Sequence, residues 1–540
     1  MYPQGCSDRF VKILPAFEHR IHGFGRWLRQ LRLAKITALR SFSRYRHLYT
    51  SKRALLSSGI SGLSLYLPPH RVQLEDWSGW NDQAWSKTRA VVGRSFRMRS
   101  PEQSVYTFAA NAVWRLIQDY DIDPAQVGFL ALGTESSSDN SAGAVIVKGM
   151  INDALVANGQ SPLARDCEVP EFKHACLGGV YALKAAVRYL AGDGAGRQAI
   201  VVSADVAEYA LGSTGEPTQG AGAVAMLVNG NADLLEVDLA LAGSDSQYRT
   251  SDFRKPFSRF RQPAREDGQL QDLPVFNGRY STTCYIDATR HAMTAMLDKR
   301  PGRGVDYFTE VDAVFIHRPY HRMPATGWVM SYLFTLAADG PAGQAQLRAY
   351  SDAAGLDGDL LLAELLADDP FDGEEIGDGD GYPWSRQLRG HLLRSDVWKN
   401  LIDAKLWLGA EAMQDLGNLY TAALPAWLAA GLAQAHKDGL EIAGQEWLAL
   451  GYGSGDAAEA IPLRVAAGWK QAAAKINFDA ALRDPIDLTE AQYLALHEGH
   501  PTDLPPLVPS DEFVIDHVGT RNGPDFYDLG IEYYRHVRPA

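Results

Sequence analysis

Short apolar strands alternate with amphipathic helices along most of this chain, and that alternation restricts the fold more than any other feature. "VGFLALGTES" is an apolar strand entering a polar turn, and "SAGAVIVKGMINDAL" after it has helical spacing. "CEVPEFKHACLGG" is a strand-to-turn segment; "VYALKAAVRYLAG" is then a helix and "RQAIVVSADVA" a strand. "GAGAVAMLVNG" is a Gly-rich apolar strand, the pattern of a central strand packed closely on both faces. The succession returns later: "YSTTCYIDATRHAMTAML" is helical, "VDAVFIHRPYH" a strand, "GNLYTAALPAWLAAGLAQA" a helix, and "EWLALGYGSGDAAEAIPLRV" strand, turn and strand. Strands and helices in this order predict α/β layers in two related halves, divided near Asn229 to Asp233.

Four of the turns carry reactive groups: Glu135 in "LGTESSSDN", Cys176 in "HACLGG", His317 in "FIHRPYH" and Asn418 in "GNLYTAAL". Each has an ordinary reading when taken alone. A carboxylate after a strand caps a helix, a buried cysteine is a small hydrophobe, and an Asn after Gly is a turn residue. Their order and the sequence around them change the reading. Cys176 precedes a Gly-Gly turn and a helix, where backbone amides and the positive helix end favour a thiolate nucleophile.

The surrounding motifs resemble those of the 3-hydroxy-3-methylglutaryl-CoA synthase family, condensing enzymes of the thiolase superfamily. "GEPTQGAGAVAM", Gly215 to Met226, is the most specific match. "FKHACLGGVYAL" is similar to the family's nucleophile segment, "LGTES" to its acid/base turn, and "GNLYTAAL" and "GYGSG" to later active-site loops. "LPVFNGRYSTTCYIDA" is similar to the segment opening its second half, and the likeness runs from about Gly59 to the C-terminal "IEYYRHVR". The resemblance implies a thiolase-like αβαβα fold with two pseudo-repeated halves. Residues 1–58 form a basic extension, 59–230 the Glu/Cys half, and 231–540 the His/Asn half.

It further implies condensation of acetyl-CoA with acetoacetyl-CoA by a homodimer with no metal or redox cofactor. Cys176 would hold the acetyl group, Glu135 would remove the α-proton, and His317 would meet the new alkoxide as proton donor or oxyanion partner. Asn418 would orient His317 or bind the acyl oxygen. Tyr209, Thr218 and Ser454 match substrate-binding positions, and Arg322 falls where the family places a lysine that meets coenzyme A phosphates. Decarboxylating relatives of the same fold lack the glutamate, so Glu135 separates the reactions. Departures from the pattern are Leu177 after the nucleophile, "SSDN" after Glu135, and the missing basic residues beyond Arg322. Thinner basic character there favours a β-branching polyketide synthase acting on an acyl carrier protein, while "GEPTQ" favours the mevalonate branch. A catalytically silent assembly partner is the rival from outside enzyme chemistry.

Composition narrows the remaining classes. A net charge of −13 argues against nucleic acid as the main partner, and no apolar run is long enough for an integral membrane segment. Four cysteines without a CxxC pair fit a reducing, cytoplasmic compartment. Two segments depart from the average. Residues 1–53 carry about a dozen Lys and Arg against Asp8 and Glu18, as in a transit peptide, an interfacial helix or a solvated extension. Residues 351–384 are strongly acidic and predict a partly helical surface insertion that is not a metal site. Because the family-like pattern begins near Gly59, a chain starting at Leu55 is expected to stay folded and active. Loss of soluble protein on that truncation would show that the basic segment packs on the core.

Overall fold

The computed structural model describes residues 57–137, 140–257, 273–275, 277–371, 380–500, 502–505 and 507–539. The basic segment therefore lies almost entirely outside the described residues, and Ser57–Ala540 forms one compact unit.

Ten strands make the main sheet: β1 (Gly59–Tyr66), β2 (Val127–Gly133), β3 (Glu171–Phe172), β4 (Gln198–Ala207), β5 (Gly220–Asn229), β6 (Leu235–Val237), β7 (Gly243–Ser246), β8 (Ala313–Ile316), β9 (Glu446–Gly453) and β10 (Ala457–Val465). The hydrogen-bonded order is β8-β9-β10-β6-β1-β5-β4-β2-β3, with β7 beside β10. Strand β6, only three residues long, pairs with both β1 and β10 and links the halves. In the first half β2 and β4 are parallel and β5 returns antiparallel. In the second half β8 and β9 are parallel and β10 returns antiparallel. This repeat is what the two similar runs of strand, turn and helix predict.

Burial explains why the strands read as continuous apolar runs. On β4, Ala199 and Val201 join one core cluster while Ile200, Val202 and Ala204 join another; β5 divides likewise between Val224, Met226, Val228 and Ala223, Ala225, Leu227. Both sheet faces are therefore covered. Helices α1 (Val105–Asp119) and α2 (Gly143–Ala157) cover one face of the first half. Helix α3 (Gly178–Ala191) packs on the other face, against β2 and β4. Helices α4 (Arg279–Leu297) and α5 (Met323–Ala338) cover the second half. Helix α9 (Ala423–Lys437) touches strands of both halves, and a Cβ on Gly451 of β9 would meet Leu177 and Val180 at the start of α3. Helices α3 and α9 are thus the central layer of the αβαβα arrangement.

The acidic segment corrects one expectation. It begins inside α6 (Gly340–Ala354), continues as α7 (Gly358–Leu366), and ends where α8 (Pro383–Leu392) starts; residues 372–379 lie outside the described residues. It is partly helical, as expected, but it is no surface appendage. Leu361, Leu365 and Tyr382 are buried in the main core. Asp352, Asp357, Asp359, Asp368 and Asp369 face water, Glu364 accepts from Trp384 N and Ser385 N at 2.7 Å at the start of α8, and the Leu stripe at i, i+4 spacing faces the core. Leu361→Ala is expected to cost about 2–4 kcal/mol and lower the melting temperature by several degrees. Melting like the wild type would return the segment to the surface.

Candidate active site

Several chain segments converge on a cavity of about 390 Å³ whose wall includes Cys176, Tyr209, Thr218, His317, Asn418 and Ser454, with Glu135 behind Cys176 and not on the wall. Their arrival follows from the repeat. Glu135 lies just past the end of β2 and His317 just past the end of β8, so the two halves place an acid/base group at equivalent strand ends. Cys176 precedes α3 and the Asn418–Ala422 turn precedes α9, so the central helices bring in the other two.

Close backbone approach explains the Gly-Gly after the nucleophile. A Cβ on Gly179 would fall 2.1 Å from Ser203 Oγ, and one on Gly133 would fall 2.5 Å from Gly179 Cα. Only glycines let the start of α3 sit this tightly on β2 and β4. Ala175 adopts φ +41, a left-handed conformation unusual for a residue with a Cβ, immediately before Cys176. The local chain is bent to aim the sulfur.

Cys176 Sγ lies 3.5 Å from Glu135 Oε2, a contact in which the thiol donates. This corrects the expected thiolate. Burial pushes the Cys176 thiol well up, and the charges of Glu135 and Asp205 push it further. In the resting site the dipole of α3 is outweighed and the sulfur keeps its proton. His317 is buried too, and burial alone lowers its imidazole to about 3. It is a neutral ring at physiological pH, able to donate a hydrogen bond to an oxyanion without carrying charge. Its N–H backbone group donates to Leu450 O at 2.8 Å, and its carbonyl accepts from Tyr285 Oη at 3.2 Å.

The turn that carries Glu135 is held by Asp205 at the end region of β4. Asp205 Oδ1 accepts from Thr134 Oγ1, Glu135 N, Ser136 N and Ser136 Oγ at 2.8–3.1 Å. Its Oδ2 accepts from Thr421 N at 2.9 Å and from Thr421 Oγ1. One carboxylate thereby ties the Glu135 turn to the Asn418–Ala422 turn.

Asn418 does not orient His317. Its Oδ1 accepts from Tyr420 N at 2.9 Å, and its amide counters the burial that raises the Tyr209 phenol. Tyr209, Tyr420 and Phe253 form an aromatic wall with edge-to-face contacts. Thr218 reaches the wall but spends its hydroxyl proton on Gly215 O at 2.7 Å, which leaves the oxygen as an acceptor. The rest of "GEPTQ" is scaffold. Glu216 takes Trp77 Nε1 and Tyr493 Oη, while Gln219 bonds Tyr493 Oη and Tyr209 N. Ser454 sits in the β9–β10 turn. Arg322 is absent from the cavity wall; it is exposed at the start of α5, beside Arg389, which also neighbours Arg386. Sequence reasoning did not single out Asp205, Tyr420, Phe253, Tyr285 or Tyr452. Asp205 closes the apolar run "AIVVSAD", and a lone acid ending a buried strand was the available signal.

The sequence and the fold are similar to those of known proteins. Residues 56–233 match the hydroxymethylglutaryl-coenzyme A synthase N-terminal domain. The hydroxymethylglutaryl-CoA synthase of Ganoderma lucidum is 32% identical over 275 residues, 49% of this chain and 54% of that protein, so that match spans about half of the relative. Hydroxymethylglutaryl-CoA synthase A of Dictyostelium discoideum is 27% identical over 84% of this chain and 85% of its own length. The structure of MvaS in complex with 3-hydroxy-3-methylglutaryl coenzyme A superposes with a TM-score of 0.69 at 26% identity, covering 89% of this chain and 99% of that one. In sequence and in fold the chain is similar to hydroxymethylglutaryl-CoA synthases. Its fold is thiolase-like. NMR of the His317 ring is expected to show no titration between about pH 5 and pH 8. A midpoint near 6.5 would mean that water reaches the ring and that it can act as an imidazolium.

Proposed function

We propose that this chain condenses acetyl-CoA with acetoacetyl-CoA through an acetyl-Cys176 intermediate, giving hydroxymethylglutaryl-CoA. The observation that carries the reading is the contact of Cys176 Sγ with Glu135 Oε2, 3.5 Å apart, in the cavity that His317 also lines. A buried thiol cannot attack until its proton has somewhere to go, and Glu135 touches it. Sulfur attacks the acetyl carbonyl, the thiol proton passes by way of the Glu135 carboxylate to the departing coenzyme A sulfur, and Glu135 is again an ionised base.

The second step uses the same carboxylate. Glu135 takes a proton from the acetyl methyl, and the carbanion adds to the ketone of acetoacetyl-CoA. The alkoxide that forms accepts a hydrogen bond from neutral His317 and the proton from Glu135. Asn418 and the Tyr209 wall shape the acyl pocket, Ser454 and Thr218 line it, and water then hydrolyses the Cys176 thioester. The reading calls for no metal or redox cofactor, and for a homodimer in the cytoplasm. Among the described residues no helix is long and apolar enough to cross a membrane.

A second reading keeps the chemistry and changes the carrier. Arg322 stands outside the cavity among Arg386 and Arg389, a cationic rim that suits the phosphate of a pantetheine arm on coenzyme A or on an acyl carrier protein. Turnover with acetoacetyl-CoA against an acetoacetylated carrier protein separates the two.

Glu135→Gln tests the division of labour. The amide removes the negative charge that raises the Cys176 thiol but cannot relay its proton, so acetylation seen by mass spectrometry is expected to slow and still go to completion. Condensation is expected to fall at least ~10²-fold, and exchange of solvent deuterium into the acetyl methyl with it. Cys176→Ala takes up no acetyl group. Condensation by the Gln variant near the wild-type rate would make Glu135 a turn residue and remove the base.

A further inference from the structure

Behind the cavity, Tyr452 of β9 points its hydroxyl at two buried carboxylates. Tyr452 Oη lies 2.7 Å from Asp252 Oδ2 and 2.9 Å from Asp456 Oδ1. All three side chains are nearly inaccessible, at 4%, 1% and 3% exposure. A phenol carries one proton, which satisfies one of these contacts. The other would set phenol lone pairs against a carboxylate at hydrogen-bond distance, which is repulsive unless a second proton sits on a carboxyl group.

Charge accounting gives the same answer. The groups facing the pair are Arg249, Cys284, Tyr280 and Tyr452. Arg249 Nε is 3.9 Å from Asp456 Oδ2, but its Nη2 donates to Asp287 Oδ2 at 2.7 Å. Asp287 is also faced by His291 and Arg290, and Arg249 is the one cation paired with Asp456 among the described residues. Cys284 and Tyr280 of α4 are both raised by burial and add no cation. The carboxylates are buried, so desolvation makes a neutral acid the cheaper state.

We propose that Asp456, Tyr452 and Asp252 share a buried proton, and that neutral Asp456 is a positioning residue for the Ser454 turn and for His317. Asp456 donates its carboxyl proton to Tyr452 Oη, and Tyr452 donates to Asp252 Oδ2. The chain is tied to the site by both backbone and ring contacts. Asp456 N donates to Gln247 O at 2.6 Å and Arg249 N donates to Gly455 O at 3.0 Å, which anchors the turn that bears Ser454. The Tyr452 ring lines the cavity, packs edge-on against Tyr285 at 5.0 Å, and lies 6.4 Å from the His317 ring. Tyr285 in turn holds the His317 carbonyl. Burial and the Asp252 charge raise the Asp456 carboxyl to about 9. Above that pH the lost proton leaves two anions on one phenol, and the turn and ring are pushed off their places.

The inference rests on the cavity being the condensing site, so its test includes a readout that needs no substrate. Infrared difference spectra of wild type against Asp456→Asn at about pH 7.5 are expected to show the carbonyl stretch of one neutral carboxylic acid, lost as pH rises through about 9. In turnover, kcat of the wild type is expected to fall along an alkaline limb with the same midpoint, with KM little changed. Asp456→Asn, which keeps a donor to Tyr452, is expected to lack that limb; Asp456→Ala is expected to lose ~10-fold or more in kcat at every pH, from the unsatisfied phenol. No carbonyl band, or an unchanged alkaline limb in Asp456→Asn, would overturn the shared proton. So would a stoichiometric divalent cation in the purified protein that disappears in Asp456→Asn, because a metal would then neutralise the pair. A band present in a protein that never acetylates Cys176 would leave the proton in place and defeat the condensing reading instead.

Discussion

Asp205 is the interaction on which the site depends. Two turns that are more than two hundred residues apart in sequence meet on its two oxygens, one delivering Glu135 and the other delivering Asn418 and Tyr420. Burial raises this carboxyl, while the hydroxyls of Thr421 and Ser136 and the amides of Glu135 and Thr421 pull it back. A charge left without those donors would be too costly to bury, so the two turns and the aspartate stabilise one another. The Thr421 hydroxyl also lies 3.0 Å from Gly133 O, so the clamp adjoins the glycine contact that seats α3 and with it Cys176.

The duplicated architecture accounts for the chemistry being split between halves. A parallel strand pair ends at an open sheet edge where side chains can reach a cavity, and a helix starting there presents its first turn to the same space. Each half supplies one such corner. The first offers Glu135 and Cys176; the second offers His317 and the Asn418 turn. Facing corners make a pocket enclosed by both halves, which explains why its groups are so thoroughly dry. Dryness then sets protonation: Cys176 keeps its proton and His317 loses its own.

Local pattern was enough to place Glu135, Cys176 and His317 on turns after strands, and the alternation of elements was enough for the layers; Asn418 instead follows a short 3-10 helix, Ala412–Asp415. What the sequence could not show are pairings set by tertiary approach. Asp205 reads as the end of an apolar strand until Thr421 is beside it. Tyr452 reads as a β-strand aromatic until Asp252, two hundred residues earlier, takes its hydroxyl. Local reasoning also failed where two signals competed. In the acidic segment, charge density suggested a surface insertion, yet "LLLAELL" already held the stripe that buries Leu361 and Leu365. For Cys176 the helix N-terminus was visible and the burial was not, and burial with a facing carboxylate outweighs a dipole of about half a charge.

Under the proposed reaction, the same balance favours a glutamate over a histidine as the base. Imidazole in this cavity is pushed down to about 3, so once protonated it would be a strong acid and, when neutral, a weak acceptor for a carbon-bound proton. A carboxylate responds to burial in the opposite direction, since desolvation strengthens it as a base. Glu135 retains partial exposure, and its backbone N–H donates to Asp205. Desolvation as the acyl substrate fills the cavity would then raise its basicity at the moment the methyl proton must leave. Placing the carboxylate against sulfur also lets one group handle both proton transfers without moving between sites. The neutral imidazole is left for the task that suits it, donating a hydrogen bond to an oxygen that gains negative charge. In the proposed reaction the roles follow from this chemistry: the carboxylate abstracts, and the imidazole that burial makes less basic donates.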